Sequence, residues 1–173
     1  MKTNYNIELE KIIKDNLEKK LRPTLLLHTC CAPCSSSVIE RLYEYFDITV
    51  FYYNPNIEPY EEYIKRKEEQ KRFLSELNKN IKFMDCDYEN EEFKRISKGL
   101  EDLPEGGHRC HECYKLRLLK TAQKAKEQSF NYFGTTLTVS PYKNSQILNA
   151  LGHEISEKLN IKYLYSDFKK KEG

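Results

Sequence analysis

The chain has 173 residues, the size of one domain, with 39% apolar and 32% charged residues. Its 29 basic and 27 acidic residues leave a net charge of +2, so charge alone demands no nucleic-acid partner. No apolar run approaches the ~20 residues of a membrane-spanning helix, and residues 1–16 lack a signal-peptide core, so a cytoplasmic protein with no membrane partner is expected.

Ile12, Ile13, Leu17 and Leu21 recur at helical spacing, which predicts an amphipathic helix over 7–21. Thr24–Thr29 reads as a short buried strand that ends at a group of cysteines, and Ser35–Tyr45 as the helix that follows. Asp47–Tyr53 is β-branched and aromatic, a second strand closed by the turn Asn54-Pro55-Asn56. A long polar helix is expected from Pro59 to about Asn78, with acidic residues at its start. A third strand over Ile81–Cys86, a short helix over Glu91–Lys98 and a loop around Gly106-Gly107 come next. A helix over Cys113–Glu127, a fourth strand over Tyr132–Val139, a helix over Asn144–Leu159 and a last strand over Ile161–Tyr165 complete the order.

Strands alternate with helices without a repeat or linker, which predicts an α/β domain, 1–173, with a parallel sheet covered by helices on both faces. In such a sheet ligands bind outside the carboxyl ends of the strands. Cys30-Cys31-Ala32-Pro33-Cys34, Asn54-Pro55-Asn56, Asp85-Cys86-Asp87-Tyr88 and Ser140-Pro141-Tyr142 each follow a predicted strand, so four separate segments point at one edge.

Five of the six cysteines fall into two groups, Cys30, Cys31 and Cys34 (CCxxC) and Cys110 and Cys113 (CxxC), with Cys86 apart. Reducing compartments keep thiols free, which argues against a disulfide framework. Two CxxC knuckles suit a tetrahedral zinc site, but adjacent cysteines tend to diverge in an extended segment and reach two irons of a cubane more easily than one small ion. Four thiolates hold a four-iron, four-sulfur cluster, and Cys30, Cys31, Cys110 and Cys113 supply four, with Cys34 close by. A Cys31–Cys34 dithiol at a helix start is the third reading, and all three stay open on the residues alone. His28, inside an apolar strand, reads as a satisfied core histidine. Tyr52, Tyr53, Tyr60 and Tyr63 beside basic residues suit either packing or stacking on an unpaired base. Ser35-Ser36-Ser37 reads as a helix cap, and the runs at Lys65-Arg66-Lys67, Lys71-Arg72, Lys94-Arg95 and Lys169-Lys170-Lys171 as solvated faces or a phosphate-facing surface.

The motifs His28-Thr29-Cys30-Cys31-Ala32-Pro33-Cys34, Tyr53-Asn54-Pro55-Asn56-Ile57, Gly107-His108-Arg109-Cys110 with Cys113-Tyr114, Arg117-Leu118 and Ser140-Pro141-Tyr142 resemble those of the cobalamin-independent epoxyqueuosine reductases, in unbroken order from about Leu25 to Gly152. The resemblance implies a Rossmann-like fold of the adenine nucleotide hydrolase and ATP-pyrophosphatase type, and reduction of epoxyqueuosine to queuosine at the tRNA wobble position. It implies a 4Fe-4S cluster on Cys30, Cys31, Cys110 and Cys113, and a second ion, iron or zinc, on Cys34 as the catalytic thiol; location at the same edge, and not the resemblance, makes Asp85 or Asp87 a candidate for a further oxygen ligand. The implied partners are the tRNA anticodon loop, with Asn54, Tyr53, Tyr60 and Tyr142 near the substrate, and an electron donor such as a ferredoxin or flavodoxin. CCAPCSSS stands where nucleotide-binding relatives carry a glycine-rich loop, so no ATP use is expected. Members of the family usually continue into a basic, aromatic segment closing in Cys-Gly-Cys, which is expected to be lacking here. The rival readings are a zinc-stabilised RNA-binding module and an iron–sulfur-dependent tRNA sulfur transferase.

Overall fold

A computed structural model describes residues 3–99, 108–139 and 144–168. Six helices and five strands follow one another as α1 (Tyr5–Glu18), β1 (Thr24–His28), α2 (Ala32–Leu42), β2 (Asp47–Phe51), α3 (Tyr60–Leu77), β3 (Lys82–Met84), α4 (Asn90–Ser97), α5 (His108–Glu127), β4 (Tyr132–Thr135), α6 (Ser145–Leu159) and β5 (Lys162–Tyr163). The strands pair in the order β3-β2-β1-β4-β5, all parallel, as the Rossmann-like reading requires. The order reverses direction at β1, whose neighbours are β2 on one side and β4 on the other. The crevice beyond the carboxyl ends of β1 and β4 is therefore the switch point of the sheet.

Alternation along the central strands separates two apolar layers. Leu26, Phe51 and Phe133 face Leu118, Ala122 and Ala125 of α5 and Leu148, Leu151 and Ile155 of α6. Leu25, Leu27, Ile48 and Val50 face Leu9 of α1, Val38, Ile39 and Leu42 of α2, and Leu74 of α3. Both faces of β1 are thus buried, which is why Thr24–His28 reads as a nearly continuous apolar run and not as a polar–apolar alternation. Helix starts are set locally: Asn4 Oδ1 accepts from the N–H groups of Asn6 and Ile7 at 3.1 and 3.2 Å, and Asn144 Oδ1 from Gln146 and Ile147 at 2.9 and 3.3 Å. No described helix is long and apolar enough to cross a membrane.

Several elements near the switch point depart from the sequence expectation. The fourth strand ends at Thr135, and Leu137–Val139 turns into a 3₁₀ helix. Thr135 Oγ1 accepts the N–H of Leu137 at 3.1 Å, bending the chain where β-propensity alone would continue it. The helix expected from Cys113 starts five residues earlier, at His108, so Cys110 and Cys113 lie one turn apart on α5 and not in a loop.

Candidate metal centre

Helix α2 also begins earlier than periodicity suggests, and this shapes the cysteine group. Cys31 is the N-cap, in extended conformation, and Pro33 sits in the first turn, where its missing N–H would have no helical partner in any case. Cys34 is then the third helical residue. N-cap and third-residue side chains are neighbours at a helix start, so the CxxC spacing folds Cys34 back onto Cys31. The expected divergence of Cys30 and Cys31 does not occur: the sulfurs of Cys30, Cys31 and Cys34 all lie within 4.8 Å of one another. The serines fall inside the helix, Ser35 Oγ donating to Ala32 O at 3.0 Å and Ser36 Oγ to Pro33 O at 3.2 Å, so neither is the cap. Ser35 Oγ also accepts from Nε2 of the buried Gln70 of α3 at 3.0 Å, tying the first turn of α2 to the helix beside it.

The three thiols differ in electrostatic state. Hydrogen bonds from the Cys31 and Cys34 thiols hold Cys30 well below the usual thiol pKa, and the neighbouring Arg117 guanidinium adds to this against the opposing effect of burial. Cys31 and Cys34 are pushed up, chiefly because each is bonded to Cys30. Thiols that favour a thiolate at Cys30 make a donor set suited to exchanging protons for a cation.

His28, the last residue of β1, supports this loop from below. It is fully buried, with Nε2 3.0 Å from Tyr53 O and Nδ1 3.1 Å from Thr135 Oγ1. A carbonyl cannot donate, so Nε2 carries the proton and Nδ1 accepts from the threonine hydroxyl. Burial, and then Arg117, lowers its pKa from 6.5 to about 4. Both ring nitrogens are used, so this is the core histidine the sequence suggested.

Asn54 is fully buried and donates to Thr29 O at 2.9 Å, joining the loop after β2 to the loop after β1. Tyr53 is 1% exposed, its ring stacked on Phe51 and its hydroxyl donating to Glu89 at 2.8 Å. It forms one wall of an open cavity of about 830 Å³ shared with Tyr88, α4 and α5. Tyr60 is presented to solvent at this end, 55% exposed, stacked on Tyr63 and tilted against Tyr88 with ring centroids 6.0 and 5.4 Å away. Asp85 is engaged by Lys67 at 2.8 Å, and Cys86 is half-buried against the apolar layer. Cys113 is buried on α5 and stands outside the group of three sulfurs. Position 110 lies within α5, while Tyr142 and Lys169-Lys170-Lys171 lie outside the described residues.

A second signal was not legible in the sequence. Among the described residues six buried side-chain polar atoms lack a hydrogen-bond partner, and five belong to this end of the sheet: Thr29 Oγ1 after β1, Asn54 Oδ1 and Asn56 Oδ1 after β2, Thr136 Oγ1 after β4, and Arg117 Nε. Buried polar groups are normally paired, so their concentration here fits a site completed by something polar. Together with three mutually close sulfurs, this donor set fits a thiolate-bound metal centre.

The whole of this rim falls within a recognised family. Residues 25–173 match the family model described as epoxyqueuosine reductase QueH. The chain is 44% identical to the epoxyqueuosine reductase QueH of Streptococcus pyogenes serotype M1, covering 99% of this chain and 69% of that protein. It is 42% identical to that of Staphylococcus epidermidis over 99% of this chain and 75% of the relative, and 35% identical to that of Thermotoga maritima over 85% and 76%. With the match spanning the sheet, the cysteine loop and α5, the chain belongs to the epoxyqueuosine reductase QueH family.

Proposed function

We propose that the thiols at the switch point form the reducing centre of an epoxyqueuosine reductase acting on the wobble nucleoside of tRNA. The chain is an oxidoreductase of queuosine biosynthesis by family. The observation that carries the site is the meeting of Cys30, Cys31 and Cys34 within 4.8 Å where the strand order reverses.

The reaction removes the epoxide oxygen as water and leaves a cyclopentene, consuming two electrons and two protons. The electrons come from an external one-electron donor of the ferredoxin or flavodoxin class. Cys30, Cys31, Cys110 and Cys113 are assigned to a 4Fe-4S cluster and Cys34 to a second ion, iron or zinc. When bound, these groups supply one-electron transfer and Lewis acidity toward the epoxide oxygen.

The chain's own residues do the rest. Cys31 and Cys34 donate to Cys30 and favour its thiolate form before metal arrives. His28 and Asn54 fix the loop by bonding Tyr53 O and Thr29 O. The target base of an anticodon loop is unpaired or easily unstacked, and Tyr60 offers it an exposed ring, with Lys65 and Arg72 on the same helix for phosphates. Arg66, Lys67 and Lys71 are already paired with Glu62, Asp85 and Glu68, which leaves fewer of the basic runs for tRNA than the sequence offered.

A single zinc is the second reading, because two thiolates about 2.3 Å from one ion are at most about 4.6 Å apart, close to the 4.8 Å within which these sulfurs lie. Turnover separates the readings. Epoxyqueuosine-containing tRNA incubated with anaerobically reconstituted protein and a low-potential reductant should yield queuosine by nucleoside mass spectrometry. The Cys30→Ala chain should give none. Full turnover by Cys30→Ala, or by protein carrying zinc alone, would overturn the assignment.

A further inference from the structure

Arg117 is the one buried cation beside the cysteine loop whose charge nothing described balances. It is 4% exposed, its Nε has no hydrogen-bond partner, and among the described residues no carboxylate pairs with it. Its guanidinium carbon lies 5.9 Å from the Tyr114 ring centroid, a contact that offers a cation far less than a carboxylate would. A lone charge taken out of water is costly unless an anion compensates it. Lys120, one turn further along α5, shows the ordinary solution, an ion pair with Glu89 at 3.1 Å.

Position in the helix says what the missing anion is. At 3.6 residues per turn, positions 110, 113 and 117 fall within roughly 60° of arc, so Arg117 shares a helix face with both cysteines of the CxxC pair. Its neighbours on α5, Tyr114 and Leu118, pack in the apolar cluster that holds Leu26 of β1 and against which Cys30 rests, so the buried Arg117 lies on the side of α5 that meets the strand carrying the cysteine loop. His28 has both ring nitrogens engaged, by Thr135 Oγ1 and Tyr53 O, and cannot serve as its partner. The thiols are what remains.

We propose that Arg117 is the fixed counter-charge of the thiolate centre, a positioning residue whose buried guanidinium stabilises the anionic centre and stabilises it further when it carries an added electron. The inference rests on the reading of the thiols as an iron–sulfur site. It adds a residue that touches neither substrate nor iron and that sets how readily the centre accepts an electron. Removing the charge raises the energy of the more negative, reduced state, so the midpoint potential moves to more negative values. Lysine keeps the charge, glutamine keeps donor groups without it, and methionine keeps only the length.

The test is a redox titration, followed by electron paramagnetic resonance, of wild type and the Arg117→Lys, Arg117→Gln and Arg117→Met chains after anaerobic reconstitution. Folding is checked by circular dichroism. The expected result is a negative shift in the Gln and Met chains and a near wild-type value in the Lys chain. Folded Gln and Met chains that hold no cluster, beside a Lys chain that does, also support the charge role. Unchanged potentials in the neutral variants, or equal effects of all three substitutions, overturn it while leaving the cluster reading intact. A wild-type chain that assembles no cluster overturns both readings together.

Discussion

The imidazole of His28 shows how a residue without metal-binding capacity still governs the cysteine loop. Its two hydrogen bonds consume both nitrogens and connect β1 to Tyr53, just beyond β2, and to Thr135 of β4. With its pKa at about 4 in the folded chain against 6.5, the unfolded chain binds the extra proton between those values. Stability therefore falls as pH drops through that window, by about 3 kcal/mol for this group once the folded histidine is protonated. Urea denaturation of the metal-free chain at pH 7 and pH 4.5 should show a steeper loss in wild type than in His28→Gln. Equal losses would contradict the burial of a neutral histidine. Tyr60 makes a different prediction. Base–aromatic stacking is worth about 1–3 kcal/mol, so Tyr60→Ala should weaken binding of an anticodon stem-loop about 5-fold or more, read by fluorescence anisotropy at fixed salt. An unchanged affinity would remove Tyr60 from the interface. Residue chemistry was legible in part. An apolar strand around His28 was enough to read it as core, whereas the burial of Tyr53 was hidden because a tyrosine at the end of a predicted strand looks alike in a wall and on a platform.

Element starts and ends decide which side chains can meet. CCxxC places its sulfurs together because Cys31 caps α2 and Cys34 lies in its first turn, a result of starting the helix at Ala32. Periodicity of apolar residues pointed to a later start, since the first turn of α2 carries Cys, Pro and Ser in place of apolar residues. For the same reason the start of α5 at His108 was missed: its first turn is polar, and Gly106-Gly107 drew the boundary toward the loop. The strand order, by contrast, follows from packing and was not legible, because short apolar runs do not say which neighbour they pair with. Packing also makes α6 intolerant of bulk where it crosses β5. A Cβ added at Gly152 would lie 2.5 Å from the ring of the buried Tyr163. Gly152→Ala should cost about 1–3 kcal/mol in denaturant titration. A variant as stable as wild type would mean that the ring moves freely.

At the scale of the molecule, the sheet does for the site what no single segment can. β1 delivers Cys30, Cys31 and Cys34 at the switch point, and α5, which carries Cys113 and Arg117, packs across the same central strands. The convergence of loops was visible in the sequence as unusual residues after successive strands. The partnerless Thr29, Asn54, Asn56, Thr136 and Arg117 atoms were not, since hydrogen-bond satisfaction exists only in three dimensions. The central claim is that thiols 83 residues apart in the chain, Cys30 and Cys113, serve one inorganic centre. Iron and acid-labile sulfide, counted per chain after anaerobic reconstitution of wild type and Cys113→Ala together, test it most directly. A shared centre gives about four of each in wild type and a substantial loss in the variant. A single zinc without sulfide in wild type, or a Cys113→Ala chain that keeps the full complement, would contradict it.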